Sequence, residues 1–421
     1  MTTISFGISA TYPGQTQGSS WDADWTALAT ALAWTDSITP ETSSPSSQPP
    51  ATTYGTTTGS SADIPVEDTP NEFDQQTITI DYGAFSIPAA VSVVSLLTIP
   101  TGGTAFTEQD ITLNAPWNSI KDVEVSNISS QYLHVTGFVD TWINAPNDNN
   151  NQNVAIDDAK RGDVALGNGN DAVQVDVAAN EYSWSSHFEI TVGNGNDIVN
   201  VMPEAYSALA SLSAPAGWTF NSAPQLTTAD ITVGNGNDTI GLAEVSGTIH
   251  VGNGNDTINI SDGDSTLWLG GGNDTVVINT MNVGGLVPWA YDTQVGNSTV
   301  HVGAGHADIW IDDTAPAWTP TTTIDFIHGE TGGSTSATAD VVRYGHFDAG
   351  PGGFAGGDLS ALTIDLIGYS PGSTASISNT PAGAPMVLEI HDGAAPPGTI
   401  DAVVLYSSAT ASDTLQHVRF T

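Results

Sequence analysis

The sequence contains no cysteine and only five lysine and arginine residues among its 421. Without cysteine, the chain forms neither disulfides nor thiolate metal sites, and it has no cysteine nucleophile. Its 46 aspartate and glutamate residues give a formal net charge of -41. Such a chain has no basic face for phosphates, so we predict no nucleic-acid binding and no polybasic docking on membranes. Surplus carboxylates favour hard divalent cations, although solubility alone explains acidity equally well.

Long apolar runs are also absent, and so is the zinc-protease motif. No apolar run reaches the ~18 residues of a membrane-spanning helix, so we predict no membrane span. The first residues have neither a basic region nor an apolar core, which predicts that they are not a Sec-type signal. There is no H-E-x-x-H motif. Adjacent carboxylates, as at Asp157–Asp158 and Asp312–Asp313, face opposite sides of a strand, so we predict that the protein is not an enzyme.

The composition that is present suits strands and turns, because threonine, serine, glycine, asparagine, aspartate and valine dominate it. We therefore predict an all-β protein with one short helix at residues 24–34 (DWTALATALAW). We predict four parts: an anchoring or assembly segment at 1–75, a β-rich domain at 76–152, a repeat region at 153–315 and a C-terminal β domain at 316–421.

The repeat region contains five turns with the pattern G-x-G-N-D. Their aspartates are Asp171, Asp197, Asp238, Asp256 and Asp274, which are 26, 41, 18 and 18 residues apart. Eighteen residues are two nine-residue half-turns, or one full coil of a parallel β-roll. A degraded sixth copy follows Val302, with Asp308 as its candidate aspartate.

The longer separations indicate loops inserted into single coils, near residues 178–189, 203–229 and 281–297. Such insertions carry aromatic residues and either make contacts or pack back as local covers. In the intervening half-turns, Gly247 and Ser265 stand where the aspartate would be. The sequence therefore predicts that the aspartate turns stack along one edge only.

The turn composition explains why a cation would bind there. Glycines allow sharp turns that expose carbonyl oxygens, and asparagine tolerates left-handed conformations. A cation between two stacked turns takes carbonyls and a carboxylate from both, which supplies the six or more oxygens that calcium prefers. Five turns then give about four or more calcium ions; the alternative is a stack turned by glycine and asparagine without metal. The predicted metal-binding residues are Gly167, Asn168, Gly169, Asn170, Asp171, Gly193, Asn194, Gly195, Asn196, Asp197, Gly234, Asn235, Gly236, Asn237, Asp238, Gly252, Asn253, Gly254, Asn255, Asp256, Gly270, Gly271, Gly272, Asn273 and Asp274.

These turns resemble the nonapeptide calcium repeats of the RTX (repeats-in-toxin) family. Downstream, Thr323-IDFIHGE and Ala339-DVVRYGHFDAG resemble the segment that follows the repeats in that family, and the end from Gly398 resembles its closing strand. The resemblance covers roughly residues 153–421. It implies a calcium-binding parallel β-roll, preceded by a β-rich N-terminal domain and followed by a C-terminal secretion-type domain. It also implies type I secretion through an uncleaved C-terminal signal.

Three functions fit these features. The first is a secreted structural protein that self-assembles as a homo-oligomer or polymer, such as a surface-layer (S-layer) subunit, filament or matrix protein. The second is an adhesin that binds cell-surface polysaccharide through the aromatic loops. The third is a polysaccharide-acting enzyme with a parallel β-helix. We expect the first, because calcium-dependent folding and export are expected and no catalytic residue is predicted.

Overall fold

A computed structural model gives the structure of the protein. It describes short segments between residues 4 and 126, and then residues 132–136, 138–146, 149–177, 186–203, 227–243, 245–261, 264–279, 297–312, 321–329, 339–348, 353–356, 359–378, 385–396, 400–407 and 409–421. The helix predicted at 24–34 lies outside these residues, and so does most of each predicted loop.

The chain divides into two compact units. The smaller comprises Met1–Pro49 and Phe347–Phe354, and the larger comprises Pro50–His346 and Ala355–Thr421. In the smaller unit, β1 (Ile4–Ser5) pairs antiparallel with β2 (Ser37–Ile38). The remaining strands lie in the larger unit, except for residues 347–348 and 353–354 at the ends of two strands.

Two large sheets form the larger unit, and strands are numbered along the chain. Sheet I has thirteen strands: β4 (Ser61–Val66), β6 (Ala90–Ser95), β8 (Ile120–Ser126), β10 (Phe138–Ala145), β12 (Arg161–Leu166), β14 (Ser186–Val192), β16 (Thr227–Val233), β18 (Val245–His250), β20 (Ser265–Trp268), β22 (Ser298–Val302), β24 (Thr322–Ile327), β27 (Leu362–Ile367) and β31 (Val418–Phe420).

Sheet II has sixteen strands. Along its path they are β3 (Thr52–Thr53), β5 (Asp74–Thr79), β7 (Gln109–Asn114), β9 (Tyr132–Thr136), β11 (Asn153–Ala159), β13 (Ala172–Val177), β15 (Ile198–Pro203), β17 (Thr239–Ala243), β19 (Thr257–Ser261), β21 (Gly272–Asn279), β23 (Gly305–Asp312), β25 (Asp340–Asp348), β30 (Asp401–Tyr406), β29 (Met386–His391) and β28 (Thr374–Ser378), and β26 (Gly353–Gly356) also pairs with β25.

From β3 to β25, consecutive strands alternate between the two sheets, and each pairs in parallel with the next strand but one. The prediction of an all-β fold is confirmed, with parallel sheets. Parallel pairing continues through residues 152 and 315, as β9–β11 and β23–β25 show. The four-part division of the chain stays a prediction.

The core lies between the sheets. The apolar residue two positions after each turn aspartate faces inward, and all five are fully buried. Parallel register stacks Val199 on Val173, Ile240 on Val199, Ile258 on Ile240 and Val276 on Ile258. β-branched side chains suit such a position, because they pack well on a pleated surface.

The assignment of Asp308 as the sixth turn aspartate is wrong. Strand register places Ala307 beside Asp274, whereas Asp308 lies beside Thr275, one position later. Asp308 instead forms a two-point ion pair with Arg343, at 2.9 and 3.2 Å. The cause is the shifted order His-Ala-Asp in this copy, which puts alanine at the position that aspartate holds elsewhere.

The C-terminal end changes from parallel to antiparallel pairing. Strand β30 pairs antiparallel with β29, and β29 with β28. Helix α1 (Ala411–Gln416) begins at Thr410, whose hydroxyl accepts the backbone N–H of Asp413. Such hairpins and caps blunt the ends of sheets. Within the described residues, no helix is both long and apolar enough to cross a membrane.

Candidate metal centre

The five G-x-G-N-D turns lie one upon another, each joining a strand of sheet I to the next strand of sheet II. We call residues 167–171, 193–197, 234–238, 252–256 and 270–274 the turn stack. Backbone hydrogen bonds link successive turns: the N–H of Gly193 donates to the carbonyl of Gly167 at 2.9 Å, and that of Gly234 to Gly193 at 2.9 Å. The predicted stacking of these turns is therefore present.

The first asparagine of each turn forms a ladder along the stack. The backbone N–H and side-chain Nδ2 of Asn194 both donate to Oδ1 of Asn168, at 3.0 and 2.7 Å. Asn235 bonds to Asn194 in the same way, and Asn253 to Asn235. The ladder ends at Gly271, which has no side chain and donates only its backbone N–H to Asn253, at 3.2 Å.

The second asparagine of each turn forms a parallel ladder. The backbone N–H of Asn196 donates to Oδ1 of Asn170 at 2.9 Å, and the pattern repeats from Asn237 to Asn196, from Asn255 to Asn237 and from Asn273 to Asn255. The amide oxygens of both ladders therefore already accept hydrogen bonds from the next turn. The side-chain oxygens of the stack that remain open to a cation are therefore carboxylate oxygens.

The turn aspartates form a third, buried column. Oδ1 of Asp197 accepts the backbone N–H of Asp171 at 2.8 Å, and Oδ1 of Asp238 accepts that of Asp197 at 2.9 Å. Asp256 and Asp274 repeat this contact with the preceding aspartate, at 2.9 and 3.1 Å. All five residues are buried, with at most 4% of their surface exposed.

The second carboxylate oxygen has a different environment. Oδ2 of Asp197, Asp238 and Asp256 is buried and accepts no hydrogen bond from the described residues. Buried polar oxygens are nearly always hydrogen-bonded, and an unpaired charge in such a place is costly. Three such oxygens at equivalent positions of consecutive turns form a column of negative charge that a cation would neutralise. The donor set, of carboxylates and carbonyls, suits a hard cation such as calcium.

No protein-family model matches this chain, and no curated protein matches it.

A cation here would rely on backbone oxygens. Within the described residues, no group of three or more histidine, cysteine, aspartate or glutamate side chains is placed to hold a metal ion. Two successive turns supply one carboxylate each, so carbonyl oxygens would have to provide the remaining ligands. Calcium accepts such mixed sets, because it binds backbone carbonyls and carboxylates at flexible geometry.

The hydrogen bonds of the aspartate column continue beyond the five turns at both ends. At the N-terminal end, the backbone N–H of Gln152 donates to Oδ1 of Asp171 at 2.8 Å. At the other end, the N–H of Ala307 donates to Oδ1 of Asp340, which is fully buried, at 2.8 Å. The sequence signal for Asp340 is an aspartate two positions before the core residue Val342, without the glycines of a turn.

Burial shifts the titration of the column. It raises the pKa of Asp197, Asp238 and Asp274 from 3.8 to about 7, with further increases from neighbouring aspartates and a partly opposing effect of the backbone N–H bond. Burial also raises the pKa of Asp256. Without a cation, the column therefore takes up protons that the unfolded chain would release.

This shift predicts how stability depends on pH in excess chelator. Because the folded pKa values are raised, the folded state binds more protons than the unfolded state between pH 3.8 and about 7. The free energy of unfolding should therefore fall as pH rises through this interval. Urea unfolding at a series of pH values would measure it.

Asp392 does not mask this trend. The backbone N–H of Ser370 lowers its pKa to about 2, so its contribution changes only below pH 3.8. The variant Asp238→Asn should show a shallower fall than the unmodified protein. A stability that rises steadily from pH 4 to pH 7 in chelator would contradict the raised pKa values.

Proposed function

We propose that this protein is a secreted, calcium-binding structural protein that self-assembles on or outside the cell, as a surface-layer, filament or matrix subunit. The observation that carries the proposal is the column of buried Oδ2 atoms of Asp197, Asp238 and Asp256, which accept no hydrogen bond from the described residues. Calcium supplies positive charge between the turns. The proposal assigns no catalytic residue.

The fold in this proposal is a calcium-binding parallel β-roll. Alternation of parallel strands between two sheets supports it, as does the 18-residue spacing from Asp238 to Asp256 and on to Asp274. A β-rich N-terminal domain and a C-terminal secretion-type domain complete the proposed architecture. Five turns have four intervals, so about four ions would bind.

Calcium concentration favours a place outside the cell. Extracellular calcium modules bind with a Kd of about 10⁻⁴–10⁻³ M, so they fill only after export. A chain without cysteine cannot brace itself with disulfides there, and calcium would take that role. Type I secretion is part of the proposal, on the resemblance of the turns to RTX repeats.

The sheet ends support self-assembly. Among the described strands of sheet I, the terminal strands β4 and β31 each have a neighbour on one side only. Unpaired edges of parallel sheets can add a strand from another chain. A second copy could therefore join end to end, which would make a homopolymer along the strand-stacking direction.

Electron microscopy of the full chain, with calcium and with excess chelator, tests the assembly. We expect ordered sheets or fibres in calcium and dispersed protein in chelator. Identical assemblies in both would show that calcium does not control assembly. Dispersed monomers in calcium that bind polysaccharide would favour an adhesin instead. Equilibrium dialysis on the same samples should count about four calcium ions per chain, and none bound would overturn the metal assignment.

A further inference from the structure

The turn stack contains all four Asn-Gly steps of the chain. They begin at Asn168, Asn194, Asn235 and Asn253. Asn-Gly is the dipeptide most prone to deamidation, because glycine has no Cβ to hinder its backbone nitrogen. That nitrogen attacks Cγ of the asparagine, a new N–C bond closes a succinimide ring, and the side-chain nitrogen leaves as ammonia. Water then opens the ring to aspartate or isoaspartate.

At three of the four steps, the folded stack holds the attacking group of this reaction. The backbone N–H of Gly195 donates to the carbonyl of Asn235 at 3.0 Å, that of Gly236 to Asn253 at 3.0 Å, and that of Gly254 to Gly271 at 2.9 Å. The nitrogen must lose this proton before it attacks, so the bond to the neighbouring turn must first break. All three steps are equivalent in this respect.

The stack also restrains the asparagine side-chain amide that is attacked, but the number of hydrogen bonds to this amide differs between the steps. The amide of Asn235 is fixed at both atoms: Oδ1 accepts two bonds from Asn253, at 3.1 and 2.8 Å, and Nδ2 donates to Asn194 at 2.8 Å. Oδ1 of Asn253 accepts one bond, the 3.2 Å contact from the backbone of Gly271. Glycine at the end of the ladder leaves the amide of Asn253 the least restrained of the three.

We propose that the folded turn stack protects the Asn-Gly steps at Asn194, Asn235 and Asn253 from deamidation, and that Asn253 converts first among these three. Conversion to aspartate adds a negative charge to a ladder of neutral amides. Conversion to isoaspartate lengthens the backbone by one methylene and shifts the turn out of register with its neighbours. The proposal depends on hydrogen bonds between turns and not on a bound cation, so it can fail or hold independently of the proposed function.

The test follows each Asn-Gly peptide by mass spectrometry after the full chain is incubated at mildly alkaline pH, folded or in concentrated urea. The sequence V-G-N-G-N-D surrounds Asn194, Asn235 and Asn253 alike, so their intrinsic rates are matched. In urea we expect equal rates. In the folded protein we expect all to be slower, and Asn253 roughly fivefold faster than Asn235, since one net hydrogen bond is worth about that factor. Equal rates in folded and unfolded protein, or no lead for Asn253, would overturn the proposal.

The variant Gly271→Asn tests the cause of that lead. It supplies the missing side-chain donor, so Asn253 should slow to the rate of Asn235. The new Cβ would meet Oδ1 of Asn253 and the carbonyl of Ala304, both at 2.9 Å, so circular dichroism must first show that the variant folds. If a folded Gly271→Asn protein leaves Asn253 as fast as before, the ladder is not what restrains it. If the variant does not fold, the ranking in the unmodified chain decides alone.

Discussion

Replacing Gly254 by alanine should unfold the turn stack. A Cβ at this position would lie 1.3 Å from the carbonyl oxygen of Gly236 in the preceding turn, far inside van der Waals contact. That oxygen and the Cα that would carry the Cβ both belong to backbone that adjacent ladders hold in place, so relief would require the two turns to separate. We expect a loss of more than about 4 kcal/mol in the free energy of unfolding, a size reserved for severe disruption. Urea unfolding followed by circular dichroism measures it.

The matched control is Gly271→Ala, in the next turn. There the new Cβ would meet the carbonyl of Ala304 and Oδ1 of Asn253, each at 2.9 Å. These contacts are far less severe than the one at Gly254, so we expect a cost of about 1–3 kcal/mol, as for ordinary overpacking. Equal stability of the two variants would show that the turns are not packed as closely as the glycines indicate.

The sequence predicts the stacking of the turns well because two periodic signals coincide there. The 18-residue spacing fixes the length of one coil, and an apolar residue follows each aspartate by two positions. Together they determine that Ile258 lies over Ile240 and Val276 over Ile258, as the strand register confirms. A one-residue error would turn these side chains to the opposite face.

The same signals fail where a copy is degraded. At the sixth copy the only aspartate is Asp308, and only strand register reveals that Ala307 holds the column position. Asp340 belongs to the column although no glycine precedes it. A carboxylate belongs to the column when it accepts a backbone N–H from the neighbouring coil. A repeat motif in the sequence does not predict that contact.

The asparagines show a second limit. Their place in the metal-binding turns stays a prediction, but their side-chain oxygens have partners: Oδ1 of Asn194 accepts two bonds from Asn235, and Oδ1 of Asn196 accepts one from Asn237. These bonds exist only because successive turns stack at hydrogen-bonding distance. Composition shows that amide oxygens are present but not which partner they meet. The Oδ2 atoms differ, because no neighbouring N–H of the described residues reaches those of Asp197, Asp238 and Asp256.

That difference makes Asp238→Asn together with Asp256→Asn an informative double variant. Each asparagine keeps an Oδ1 acceptor for the backbone N–H that the aspartate now receives. Each replaces Oδ2, and with it the negative charge, by an NH₂ group of similar size. The two residues border three of the four intervals in the stack. The variant therefore removes charge from most of the candidate sites and leaves the hydrogen-bonded column in place.

Calcium should stabilise the unmodified protein far more than this double variant. At roughly ten times Kd each site contributes about 1.4 kcal/mol, so four sites give about 5–6 kcal/mol and the one interval left intact gives about 1–2 kcal/mol. In chelator near pH 7 the double variant should be the more stable of the two proteins, because the unmodified column buries like charges that the variant lacks. Urea unfolding in calcium and in chelator measures both differences.

The control Asp163→Asn with Asp230→Asn removes two exposed carboxylates from sheet I and should follow the unmodified protein in both solutions. Equal calcium stabilisation of the double variant and the unmodified protein would mean that glycine and asparagine alone hold the stack.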